Sequence, residues 1–169
     1  LARKLRLLPE TLVQRRPWLL MTKAWTLSSS WQLGALPRVL DQVEALLAGD
    51  GALLADDLED MPALRGQITL LRAQQSYLAN QPAAAAAGCR QSLALTPQPW
   101  LYVRGGAMLY LSLSMQVLGQ GEEAERLLLA EYEGLAHKND AYALRLLFGL
   151  AYIRFQEGQL EPANHAAHE

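Results

Sequence analysis

Histidines, cysteines and paired carboxylates are the side chains best suited to chemistry, and this chain offers few of them. Its three histidines are His137, His165 and His168. His165 and His168 lie three positions apart and share a helical face. A metal site needs further ligands, and nearby Glu161, Asn164 and Glu169 read as ordinary surface residues or poor ligands. The pair reads as a solvated chain end, so no metal site is assigned. The single cysteine, Cys89, follows an alanine run from Ala83 to Ala87 and reads as core. One cysteine allows no intrachain disulfide, which fits a reducing compartment. Asp56-Asp57 and Glu122-Glu123 sit in charge runs, not in the apolar surroundings that tune carboxyls for acid–base work. The sequence has no G-x-S-x-G nucleophile elbow and no G-x-x-x-x-G-K-[ST] phosphate loop. No catalytic residue and no cofactor are assigned. The chain reads as a binding module, not an enzyme.

Binding side chains need elements to carry them, and the composition names those elements. Of 169 residues, 51% are apolar, enough for a sizeable core. Leu and Ala dominate while Val and Ile are scarce, which favours helices over strands. The net charge of −2 gives no global reason to bind nucleic acid. Charge is unevenly spread: residues 1–23 are basic, and residues 49–60 hold Asp50, Asp56, Asp57, Glu59 and Asp60 without a base. Both read as solvated faces. No apolar run is long enough to cross a membrane, and a cytoplasmic location is expected. Prolines and glycines mark helices at Pro17–Gln32, Ala35–Ala48, Pro62–Asn80, Pro82–Leu95, Pro99–Leu118, Glu122–His137, Tyr142–Gln156 and from Leu160 onward. The chain stops inside that last helix, so it reads as a single-domain fragment, residues 1–169, of a larger protein.

These helices repeat. Ala73, Ser112 and Ala151 are spaced by 39 residues, as are Asn80, Gly119 and Gly158, and Gln81, Gln120 and Gln159, and Ala85, Ala124 and Ala163. Ala24, Trp31, Gln32 and Leu36 precede these series by 49 residues, so the ten extra positions match an insertion at 49–60. Small residues in the first and last columns allow close helix approach, and Gly or Asn in the second ends a helix in the left-handed conformation. The pattern resembles the tetratricopeptide repeat. That resemblance implies an all-α fold, a right-handed superhelix of about four antiparallel helix pairs. Trp31 in the glycine column and Leu36 in the alanine column depart from it.

The segments Leu8-Pro9-Glu10-Thr11-Leu12, Arg16-Pro17-Trp18-Leu19 and Ala24-Trp25-Thr26-Leu27 are more specific. They resemble the opening of the helical-repeat region in MalT-like, LuxR-type bacterial transcription activators. The resemblance implies an effector-sensing and oligomerisation domain that receives a small-molecule inducer or a regulatory protein, with self-association as a further role. ATP and DNA would be bound only by segments absent here. The alternative is a general tetratricopeptide-type protein–protein scaffold.

In a stack of helix pairs the first helices line a concave surface. The aligned columns bring Trp18, Trp25, Gln67, Gln74, Tyr77, Gln116, Arg145 and Tyr152 to that side. The aromatics offer flat apolar area, the amides and Arg145 directed hydrogen bonds. The competing reading makes many of them core between repeats. Gly105-Gly106, unusual within a helix, reads either as close helix packing or as room for a ligand.

Overall fold

Left-handed backbone recurs at four helix ends. Trp31 and Asn80 have φ of 57°, Gly119 77° and Gly158 76°. These four residues are one column of the repeat. The computed structural model describes residues 7–49, 61–135 and 141–168, and among them no other residue has positive φ. At each turn the following glutamine donates its backbone N–H back to the carbonyl five residues earlier. The pairs are Gln32 to Leu27, Gln81 to Ser76 and Gln120 to Met115, each 2.9 Å, and Gln159 to Arg154, 2.8 Å. The left-handed residue itself donates to the carbonyl three before it: Trp31 to Ser28, Asn80 to Tyr77, Gly119 to Gln116, Gly158 to Phe155. This pair of bonds defines the Schellman motif, which satisfies the last carbonyls of a helix and reverses the chain. In three rows the same glutamine's carbonyl then accepts the first bond of the next helix, from Ala85, Ala124 and Ala163, at 3.0 Å each.

Nine α-helices and one 3-10 turn result among the described residues, with no strand. They are α1 Glu10–Val13, α2 Pro17–Ser29, α3 Leu36–Ala48, α4 Met61–Leu78, α5 Pro82–Leu95, α6 Leu101–Val117, α7 Gly121–Glu133, α8 Ala141–Gln156 and α9 Leu160–His168, with the 3-10 turn at Leu33–Ala35. The fold is therefore all-α, as the composition implies. Helix ends fall one to four residues inside several expected bounds, because the turn residues themselves lie outside the helices. The short α1 was not anticipated; four residues are too few to show a period. The first row also differs from the others. Its 3-10 turn, where the Ala35 N–H reaches the Gln32 carbonyl at 3.3 Å, stands in place of a direct helix start. The expected insertion, beyond Gly49, and the turn at 138–140 lie outside the described residues.

The short turns join α2 to α3, α4 to α5, α6 to α7 and α8 to α9 as packed hairpins. The first helices also pack side by side, α2 on α4, α4 on α6 and α6 on α8. Small residues set the approach within a pair. A Cβ on Gly88 of α5 would meet the Ala73 Cβ of α4 at 3.0 Å, and Ser92 of α5 donates to the Gly66 carbonyl at 2.8 Å. Ala24, Ala73 and Ser112 are buried, as are Leu36, Ala85, Ala124 and Ala163. One part of the core gathers around α2, α3 and α4, and another runs from Ala73 to Ala166. A small third cluster, Leu70, Val103 and Ala107, bridges α4 and α6 under Trp25, Trp100 and Tyr110. Between rows, Arg72 of α4 pairs with Asp41 and Glu44 of α3, and Arg154 of α8 pairs with Glu125 of α7 at 2.8 Å.

Two substitutions test the turn-and-pack scheme. Ala124 is fully buried, so Ala124→Leu is expected to lower stability by roughly 1–3 kcal/mol through overpacking. Nothing lies within 4 Å of a Cβ on Gly119, but its φ is +77°. Gly119→Ala is therefore expected to cost about 1 kcal/mol from backbone conformation alone. Denaturant midpoints of the two variants check both, and a neutral midpoint for either would place that residue outside the role given to it.

Candidate functional site: an aromatic groove across consecutive helix pairs

Helices α2, α4, α6 and α8 position the groove. Because these first helices pack side by side, corresponding positions come together from different rows. Trp25 of α2 donates its Nε1–H to Gln67 Oε1 of α4 at 2.7 Å. Ser28 of α2 donates to Gln74 Oε1 at 2.9 Å, and Gln74 Nε2 donates to the Tyr110 hydroxyl of α6, also at 2.9 Å. Arg145 of α8 lies over the Tyr102 ring of α6, 3.8 Å from its centroid, and donates to the Tyr102 backbone carbonyl. Cation–π stacking of this kind adds a modest attraction and holds the guanidinium flat on the ring.

Aromatic pairs line the groove. Trp25 meets Tyr102 edge to face at 5.2 Å, and Trp18 stacks on Trp100 at 5.4 Å. Tyr77 meets Tyr110 edge to face at 5.7 Å and also lies beside Tyr152. Burial holds the Tyr77 and Tyr110 phenols above their ordinary pKa, so both stay neutral across the physiological range. A cavity of about 560 Å³ opens between α2 and the start of α6, lined by Thr22, Trp25, Thr26, Gln67, Trp100 and Tyr102 among others. A second, of about 200 Å³, shares Trp25 and Tyr102 with it and extends to Gln74, Tyr110 and Arg145.

The eight residues placed on this side by the repeat have different situations. Trp25, Gln67, Gln74 and Arg145 converge on the two cavities. Gln67 and Gln74 are only 4% and 7% exposed, so they act first as hydrogen-bonded links between rows. Trp18 braces Trp100 from behind. Tyr77, half-buried, and Tyr152, 37% exposed, lie beside one another and line neither of the two cavities. Gln116 is half-buried and lines neither of the two cavities, its Cγ lying 3.9 Å from the Cβ position of Gly121. Both glycines lie against protein. A Cβ on Gly105 would lie 2.8 Å from Tyr142 Cδ2, and one on Gly106 2.9 Å from Arg145 Nη1. Close packing is thus the role of Gly105, whereas Gly106 also lines the smaller cavity beside the guanidinium end of Arg145.

Sequence reasoning missed Trp100, Tyr102 and Tyr110. Tyr102 had a usable signal, because it lies fourteen residues, about four helical turns, before Gln116 and so shares its side of α6. Trp100 directly precedes α6 and has no counterpart in the repeat. Its placement is helped by Arg104, which donates to the Leu93 and Thr96 carbonyls at 3.0 Å each and ties the start of α6 to the end of α5.

The groups suited to covalent or metal chemistry stand apart from the groove. Cys89 is buried, and burial pushes its thiol up to about 12. Among the described residues, no three His, Cys, Asp or Glu side chains gather as a metal site would require. Glu122 and Glu123 are exposed in the first turn of α7, where they face the positive helix end. His137 and Asp56-Asp57 lie outside the described residues. No helix among the described residues is long and apolar enough to cross a membrane. No family model, curated protein or solved structure matches the chain.

Two measurements follow. Trp25→Phe leaves Gln67 with no partner for Oε1 and is expected to cost about 1–3 kcal/mol. Adding Gln67→Leu should recover part of that loss, since removing both partners of a buried bond is far cheaper than removing one. A double-mutant cycle by denaturant unfolding reads the coupling, and simple additivity would contradict it. The Cys89 thiol should resist a thiol reagent at neutral pH until the chain unfolds. Its raised pKa also stabilises the fold in full below the ordinary thiol value of 9.0, and that contribution is lost as pH rises towards 12. Rapid labelling of the folded protein would overturn the assignment.

Proposed function

We propose that this chain is the effector-sensing helical-repeat region of a MalT-like bacterial transcription regulator, with the groove across α2, α4, α6 and α8 as its recognition surface. One observation carries the reading: side chains from four successive first helices converge on a single aromatic groove that also contains amides and a guanidinium. Such a lining, mostly apolar with a few oriented polar groups, suits recognition of a small molecule. The sequence motifs around Pro9, Pro17 and Trp25 support the family assignment.

The tetratricopeptide-like superhelix belongs to this proposal. Four hairpins closed by the same pair of backbone bonds, stacked first helix to first helix, are the units such a superhelix needs. The groove links rows directly, so occupancy would change how firmly α2, α4, α6 and α8 are held together. That gives a ligand leverage on self-association, provided it binds one arrangement of the rows better than another.

The general scaffold reading has its own support in the exposed side chains Leu144, Phe148 and Phe155 on α8. A contiguous apolar surface of this kind commonly marks a protein contact. The two readings separate in the full-length protein. For the sensor, Arg145→Ala should leave helicity intact and abolish the response to the effector, measured on a transcriptional reporter. An unchanged response would move recognition out of the groove. A phosphate-binding loop encoded upstream and a helix-turn-helix downstream are expected in the parent reading frame.

A further inference from the structure

The larger cavity of the groove has a composition that narrows its ligand. Among the described residues, its lining includes no Asp, Glu, Lys, Arg or His. An ion entering it would lose hydration with no opposite charge in the lining to replace it. Three of the four hydroxyls on the α2 side are already engaged as donors, and the fourth, on Ser29, is solvent-exposed. Thr22 donates to the Trp18 carbonyl and Thr26 to the Thr22 carbonyl, both at 2.8 Å, and Ser30 to the Thr26 carbonyl at 2.7 Å. What they leave for a ligand is methyl surface and acceptor lone pairs.

Among the buried groups of the lining, Gln67 is the exception. Its Oε1 accepts from Trp25, while its Nε2, fully buried, has no hydrogen-bond partner among the described residues. Buried amide donors are paired in the great majority of proteins, and an orphan at the edge of a cavity points to a missing acceptor. Around it, Trp25, Trp100 and Tyr102 present ring surface. Trp100 is held by stacking on Trp18, and Tyr102 by the Arg145 guanidinium over its ring.

We infer that this cavity binds an uncharged, flat ring compound carrying one hydrogen-bond acceptor, of lactam or heteroaromatic type, with the acceptor meeting Gln67 Nε2 through a small shift of that side chain and the ring among Trp25, Trp100 and Tyr102. A polyhydroxylated ligand would need many more unengaged polar partners than the cavity has. This inference rests on the groove being the recognition surface and adds the ligand's chemical class. A volume of about 560 Å³ accommodates a bicyclic or tricyclic ring system.

The test uses the neutral bicyclic lactam carbostyril, with the quinaldate anion as its charged counterpart. Binding is followed through the indole N–H signals of the four tryptophans in the folded chain. Carbostyril should shift the Trp25 and Trp100 signals saturably, and quinaldate should bind about tenfold more weakly or worse. Gln67→Leu should weaken carbostyril about tenfold while circular dichroism shows the fold retained. Quinaldate binding as tightly as carbostyril, an unaffected Gln67→Leu variant, or no saturable shift up to about 1 mM would each overturn the inference. If Gln67→Leu unfolds, the comparison of lactam with anion on the unaltered chain still decides. Failure here alongside a lost effector response in Arg145→Ala would reject the ligand class and keep the groove. Failure of both would reject the groove itself.

Discussion

Every contact in the groove depends on one backbone constraint, the left-handed residue that ends each first helix. A chain leaving an α-helix has several carbonyls without partners, and burying that end requires something to satisfy them. The glutamine N–H that returns to the carbonyl five residues back does so, and it also sends the chain back along the helix it has just left. Because the same bond closes at Trp31, Asn80, Gly119 and Gly158, all four first helices end in the same way. Like endings let the first helices pack as neighbours and bring equivalent positions of successive rows to one side.

The groove then follows from what occupies those positions. Most repeat interiors are filled by aliphatic side chains, which interlock without specified partners. Here α2 and α4 meet through Trp25 and Gln67, and α2, α4 and α6 through Ser28, Gln74 and Tyr110. Polar links of this kind are directional, so they fix the register between rows more tightly than apolar packing does. They also leave rings standing beside one another with space between. Glycines at 105 and 106 let α8 approach closely enough for Arg145 to lie on Tyr102, which closes one end of the groove.

The turns were legible in the sequence because left-handed backbone admits few residue types. Asn80, Gly119 and Gly158 are such residues, and Trp31 could be found only by its spacing from them. The buried alanines were legible for a similar reason, since little else fits where helices touch. The states of Gln67 and Gln74 were not. A sequence gives the polarity of a side chain, not whether a neighbour 42 or 46 positions away completes its hydrogen bonds. Trp100 was invisible for a different reason: it belongs to the segment between rows, where no column constrains it.

The central claim is that recognition occurs where successive first helices converge. Hydrogen exchange of the full-length protein, with and without its effector, tests it most directly. The backbone amides that slow should lie in α2 around Trp25 and in the first turns of α6 around Tyr102, both of which border the larger cavity. Slowing should extend into α4 and α8 as the rows are clamped together. Protection confined to α7, α9 or the second helices, with these segments unchanged, would contradict the account.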